Sequence, residues 1–154
     1  MAARRVIRIQ AEPFDSAMET AALSALGSDI GAVATFIGYC RSESGRLKAL
    51  ELEHYPGMAE DEIGRVADEA LARWPLAALT IIHRYGVMVP GDGIVFVGTA
   101  SSHRASAFAA CEFLMDYLKT RAPFWKKEIL ADGREGAWVE AKADDDAALG
   151  RWER

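Results

Sequence analysis

The sequence predicts a single α+β domain, and three observations carry that prediction. Apolar runs of strand character and amphipathic stretches of helical period follow one another, but without the regular alternation of a doubly wound fold. Turn signals join some strand segments directly, most plainly Asp132-Gly133, so hairpin pairing and an antiparallel sheet are expected. The 154 residues, 51% hydrophobic and 27% charged, suffice for one sizeable core and contain no repeat, low-complexity tract or linker.

Val6-Ile7-Arg8-Ile9 is a short strand candidate, and Pro13-Phe14-Asp15 leads into a weak helix over 16–26, stopped by Gly27. Residues 31–37, GAVATFI, read as a buried strand that leaves through Gly38-Tyr39-Cys40-Arg41 into a polar loop. In 47–55, Leu50, Leu52 and His54 share one face and Glu51, Glu53 and Tyr55 the other, the period of a strand. Pro56-Gly57 turns the chain. The segment 58–74 is then an amphipathic helix, with Ile63, Val66, Ala67, Ala70 and Leu71 inward and Glu60, Asp61, Arg65, Asp68 and Glu69 outward.

Pro75 ends that helix, 79–85 reads as a strand, and 86–93 as a turn-rich connection. The apolar strand 94–100 feeds a helix beginning near Arg104, with Ser101 or Ser102 as its expected N-cap. Phe108, Cys111, Met115 and Leu118 recur at spacings of three and four and are expected to face the core. Pro123 biases Ala122 away from helical angles and stops the helix near Arg121. Strands over 124–130 and 136–141 flank Asp132-Gly133, and the tail from Ala143 is acidic, a frayed helix ending at Trp152.

A formal net charge of -5 and a pI near 5.2 argue against a nucleic-acid-binding domain. Cys40 and Cys111 match no metal or redox spacing and read as reduced thiols. Arg4-Arg5 is followed by no apolar signal core, and nothing approaches the roughly 20 apolar residues of a membrane span, so no membrane association and a cytoplasmic location are expected.

Against this acidic background, Lys119, Arg121, Lys126 and Lys127 fall within nine residues with no acid between Lys119 and Lys127. Such a cluster suits a small anionic ligand. The chain reverses at Ala122-Pro123, so Lys119 and Lys126 can face a common pocket as nucleophile or proton carrier. The plainer alternative has Lys119 and Arg121 complementing the helix dipole, with Lys126 and Lys127 in solvent. Ser102-His103-Arg104 stands where a helix follows a strand, a place for a phosphate or simply for a cap. Arg41 leaves a buried strand through a glycine, toward a ligand or toward solvent. His54 and His83 lie in strand patterns and read as structural, and Trp125 beside the lysines reads as a possible pocket wall. His103 and Lys119 lie sixteen residues apart on one helix, roughly 24 Å at 1.5 Å per residue. If both serve one small ligand, a second copy of the chain must supply one of them.

The strings Glu53-His54-Tyr55-Pro56-Gly57-Met58, Arg73-Trp74-Pro75-Leu76, Ile82-His83-Arg84, Pro90-Gly91-Asp92 and Ser102-His103-Arg104 are similar to a known family. The longest such string runs unbroken from Met115 to Glu128. Together they resemble the large, catalytic subunit of molybdopterin synthase, in order from about Gly31 to Lys142.

The resemblance implies an α/β hammerhead fold and a sulfurtransferase of molybdenum cofactor biosynthesis. In that family a small ubiquitin-like subunit carries a C-terminal glycine thiocarboxylate and delivers sulfur to cyclic pyranopterin monophosphate, forming the dithiolene of molybdopterin. The assembly implied is a large-subunit homodimer within a heterotetramer, with no cofactor or metal of its own. By motif, Lys119 and Lys126 match the catalytic lysines, while Tyr39, Cys40, Arg41, His103, Arg104, Lys127 and Glu128 fall at substrate-binding positions. Tyr39 and Cys40 depart from the family's lysine and aliphatic residue, and the following loop is about two residues shorter. Residues 1–30 match poorly and carry no functional expectation.

Overall fold

The computed structural model describes residues 2–139 and 149–153. The expected continuation of the last strand through 140–141 and the acidic run Asp144-Asp145-Asp146 lie outside the described residues. Among the described residues, eleven regular helices and strands occur in the order β1 (Arg4–Gln10), α1 (Ser16–Ser24), β2 (Ala32–Tyr39), β3 (Leu47–His54), α2 (Met58–Arg73), β4 (Leu76–Arg84), β5 (Gly86–Met88), β6 (Gly93–Ser101), α3 (Arg104–Thr120), β7 (Phe124–Leu130) and β8 (Glu135–Val139), before a short 3₁₀ turn, Gly150–Trp152.

The strands form two four-stranded sheets. The first has the order β1-β4-β6-β2, with β1 parallel to β4 and the other pairs antiparallel. The second, β5-β3-β7-β8, is antiparallel throughout. The α+β, mostly antiparallel expectation therefore holds.

The apolar faces of the helices decide the layering. Ile63, Val66, Ala67 and Ala70 of α2 and Ala107, Ala110, Phe113 and Leu114 of α3 meet Leu79, Ile81 and Val97 of the first sheet in the main core. Trp74 and Trp152 stand edge-on against Phe113 and seal the outer side of α3. Leu23 of α1 covers the opposite face with Ala78, Ile82 and Phe96. Gly98 leaves room for this contact, because a Cβ on it would overlap Leu23 Cδ1 and make that side chain shift. A third, smaller cluster of Cys40, Leu52 and Met88 joins the two sheets.

Several expectations are corrected. Neither Ser101 nor Ser102 caps α3: the N-cap is His103, without a side-chain bond, while the Ser101 hydroxyl is turned inward to donate to the Pro75 carbonyl at 2.9 Å. Phe108 is 66% exposed, because the buried face of α3 is centred on Ala107, Ala110, Phe113, Leu114 and Tyr117. β4 starts at Leu76 rather than near 79, since Leu76 and Ala78 already pair with Ser101 and Ala100 of β6. The connection after Tyr85 contains β5, which pairs Gly86 to Met88 with Leu52 to Leu50 of β3 once Gly86 takes a φ of 98°.

Candidate functional site

A cavity of about 420 Å³ opens at the seam where the two sheets meet. Its walls follow from the elements just described. β2 contributes Tyr39 as it leaves the first sheet, β3 contributes Leu50 and Leu52, and the last turn of α3 contributes Leu118 and Lys119. β7 adds Trp125 and Lys126, and β4 adds His83.

The reversal at Ala122-Pro123 brings the lysines together. The helix ends at Thr120, Arg121 donates its N–H to the Tyr117 carbonyl at 2.7 Å, and the chain re-enters the second sheet at Phe124. In β7, Lys126 stands opposite Leu52, whose face lines the cavity, whereas Lys127 stands opposite Glu51. Strand alternation therefore separates the neighbours. Lys127 lies on the far face, 3.5 Å from both Glu51 and Glu135 and 5.0 Å from the Trp138 ring centre.

The remaining predicted residues divide. Tyr39 and Arg41 line the cavity mouth with Lys119 and Lys126. Arg41 is exposed and lies 3.8 Å from Glu43. Glu43 also pairs with Arg46, which bonds both oxygens of Glu128 at 3.2 and 2.7 Å. Glu128 thereby ties the loop after β2 to β7. Glu43 and Ser44 hold left-handed φ angles of 52° and 60° in that loop, a conformation that costs non-glycine residues energy unless neighbours fix it. Cys40 is buried under the mouth, its thiol 3.7 Å from the Met88 carbonyl, and burial with Asp92 nearby raises its pKa. Burial likewise pushes the Cys111 thiol up to about 11. Neither cysteine is a reactive thiolate.

His103 and Arg104 stand exposed at the opposite end of α3, which runs unbroken from Arg104 to Thr120. The structure does not bring them to this chain's cavity. His83, read as structural from the sequence, does line it. Among the described residues no cluster of His, Cys, Asp or Glu is arranged to hold a metal ion.

Comparison with known proteins decides the family. The sequence profile described as MoaE protein matches residues 9–121. The chain belongs to the MoaE family. A Mesorhizobium japonicum relative named molybdopterin synthase catalytic subunit is 62% identical over 146 residues, covering 95% of this chain and 92% of that one. The solved MoaE protein of Burkholderia ambifaria is 52% identical with a TM-score of 0.83, covering 97% of this chain and 99% of its own. A Staphylococcus aureus molybdopterin synthase structure superimposes at 0.76 with 32% identity, covering 86% and 95%. This MoaE chain is thus a molybdopterin synthase catalytic subunit, a sulfur-transferring enzyme of molybdenum cofactor biosynthesis. Its matched region includes Tyr39, Arg41 and Lys119 but ends before Lys126.

Proposed function

We propose that the seam cavity receives the C-terminal thiocarboxylate of a small ubiquitin-like subunit and that sulfur passes there to cyclic pyranopterin monophosphate. The observation that carries this reading is the convergence of Lys119 and Lys126, from different elements, on one apolar-walled cavity. Leucine, phenylalanine and tryptophan side chains in the cavity wall suit the apolar backbone of an extended glycine tail, and two cations at the same wall suit a thiocarboxylate anion. Lys119 and Lys126 are the catalytic residues. Either ammonium can stabilise the oxyanion that forms when the acyl carbonyl is attacked, or give a proton to the oxygen that leaves the pterin.

Arg41, with Tyr39 beside it, provides the mouth of the substrate site, and Cys40 and Glu128 support it from below and behind. His103 and Arg104 bind the cyclic phosphate of a substrate held at the neighbouring copy's cavity, because one helix about 24 Å long separates them from their own. Phe108 supports a second copy: it is a large apolar side chain, exposed one turn beyond Arg104. Lys127, paired with Glu51 of β3 and Glu135 of β8 on the far face, holds β7 in place behind the cavity wall rather than touching substrate. The working assembly is a homodimer of this single-domain chain with one small subunit at each end, in the cytoplasm. Among the described residues, no helix is long and apolar enough to cross a membrane. The relatives' designation as catalytic subunits supports a separate partner.

A small subunit bearing a photo-crosslinking group at its C-terminal glycine tests the docking. Irradiation should give adducts at Leu118, Trp125 or other cavity residues. Adducts confined to the exposed face of α1 or α2 would refute it.

A further inference from the structure

His83 lines the cavity from a position where packing alone would accept an aliphatic side chain. On β4 it follows Leu79 and Ile81 on the same face, both fully buried in the main core, and an aliphatic side chain would continue that pattern. Its ring instead lies stacked on Phe124, with centroids 3.7 Å apart and planes 18° from parallel. Nδ1 is 2.8 Å from the Arg84 carbonyl oxygen. A carbonyl can only accept, so Nδ1 carries a proton, and in the neutral ring the lone pair is on Nε2. Nε2 has no hydrogen-bond partner among the described residues and is not fully enclosed, since no enclosed side-chain nitrogen or oxygen there lacks one, and the residue lines the cavity.

His83 and Lys119 line the same cavity, and two further observations bear on the pair. Burial, together with the nearby His54 and Lys119, lowers the His83 pKa to about 4, so the ring is neutral at physiological pH. Among the described residues, no carboxylate lies within ion-pairing reach of Lys119. A carboxylate there would anchor the ammonium but cancel its charge and repel an incoming anion. A neutral acceptor anchors it and leaves the charge intact.

We propose that His83 is a positioning residue for sulfur transfer: the lone pair of its Nε2 is the fixed, uncharged acceptor that orients the Lys119 ammonium toward the bound acyl group. The inference rests on the sulfur-transfer reading of the cavity. Phe124 fixes the plane of the acceptor, the Arg84 carbonyl fixes its tautomer, and Lys119, on the last turn of α3, is the mobile partner.

The test compares His83→Phe with His83→Gln in single-turnover sulfur transfer from a thiocarboxylated small subunit. Phenylalanine keeps the stack and loses the acceptor; glutamine places an oxygen near the former Nε2. His83→Phe should slow transfer by roughly 10- to 100-fold at unchanged affinity for the small subunit, and His83→Gln should recover most of the loss. Full speed in His83→Phe, or equal losses in both variants, overturns the proposal. If His83→Phe fails to fold, ¹⁵N spectra of the wild type decide. A neutral Nδ1–H tautomer through pH 6–8 is required, and an imidazolium or Nε2–H form overturns the proposal. A wild type inactive in transfer would sink the reading of the cavity and this inference with it; an active wild type beside an equally active His83→Phe sinks this inference alone.

Discussion

Lys119→Ala should retain the fold and the small subunit yet lose about 10²- to 10³-fold in sulfur transfer, the scale seen when one preorganised donor to a developing oxyanion is removed. The fold should survive because Lys119 is exposed at the last turn of α3, while the neighbours that hold the helix, Leu114 and Leu118, are buried. Single-turnover kinetics with mass detection of the pterin would measure the loss, and near-native circular dichroism would show that structure is intact. Retention of more than about a tenth of the wild-type rate would remove Lys119 from the chemistry.

A second large effect is expected from mixing two inactive proteins. If each site takes Lys119 from one chain and His103 from its partner, Lys119→Ala and His103→Ala homodimers are each deficient at both sites. Random exchange makes about half of the dimers mixed, and each mixed dimer holds one fully wild-type site of two, so about a quarter of wild-type turnover should return. Activity no higher than the sum of the separate variants would show that the site lies within one chain, and that His103 acts elsewhere or only as the helix cap it forms.

Most of the architecture was legible in the sequence because the periodicities are local. The α2 stripe of Ile63, Val66, Ala67 and Ala70 is buried as its spacing implies, and Asp132-Gly133 does join two strands, with Gly133 at a φ of 88°. What escaped was set by tertiary context. Phe108 sits on a three-four spacing with Cys111, yet α3 turns a face centred on Ala107, Ala110 and Phe113 to the sheet, and no residue near Phe108 states that preference. β5 is three residues long and exists because β3 offers it an open edge.

The candidate site shows the same division. Lys119 and Lys126 were separable from the other cations because a proline reversal places them across a bend, and both line the cavity. Lys126 and Lys127 were distinguishable in principle by strand alternation, but the direction of the cavity was not, since it depends on Leu50 and Leu52 pairing opposite Glu128 and Lys126. His83 was invisible as a cavity residue. Its place there follows from β4 lying in the first sheet and Phe124 entering the second, a juxtaposition that no local pattern announces.

The most direct test of the central claim is mass spectrometry of the pterin after this chain is mixed with a thiocarboxylated small subunit and cyclic pyranopterin monophosphate. The account predicts a product carrying two sulfurs and a small subunit returned to its carboxylate. Unchanged pterin, from a chain that demonstrably binds both partners, would contradict it.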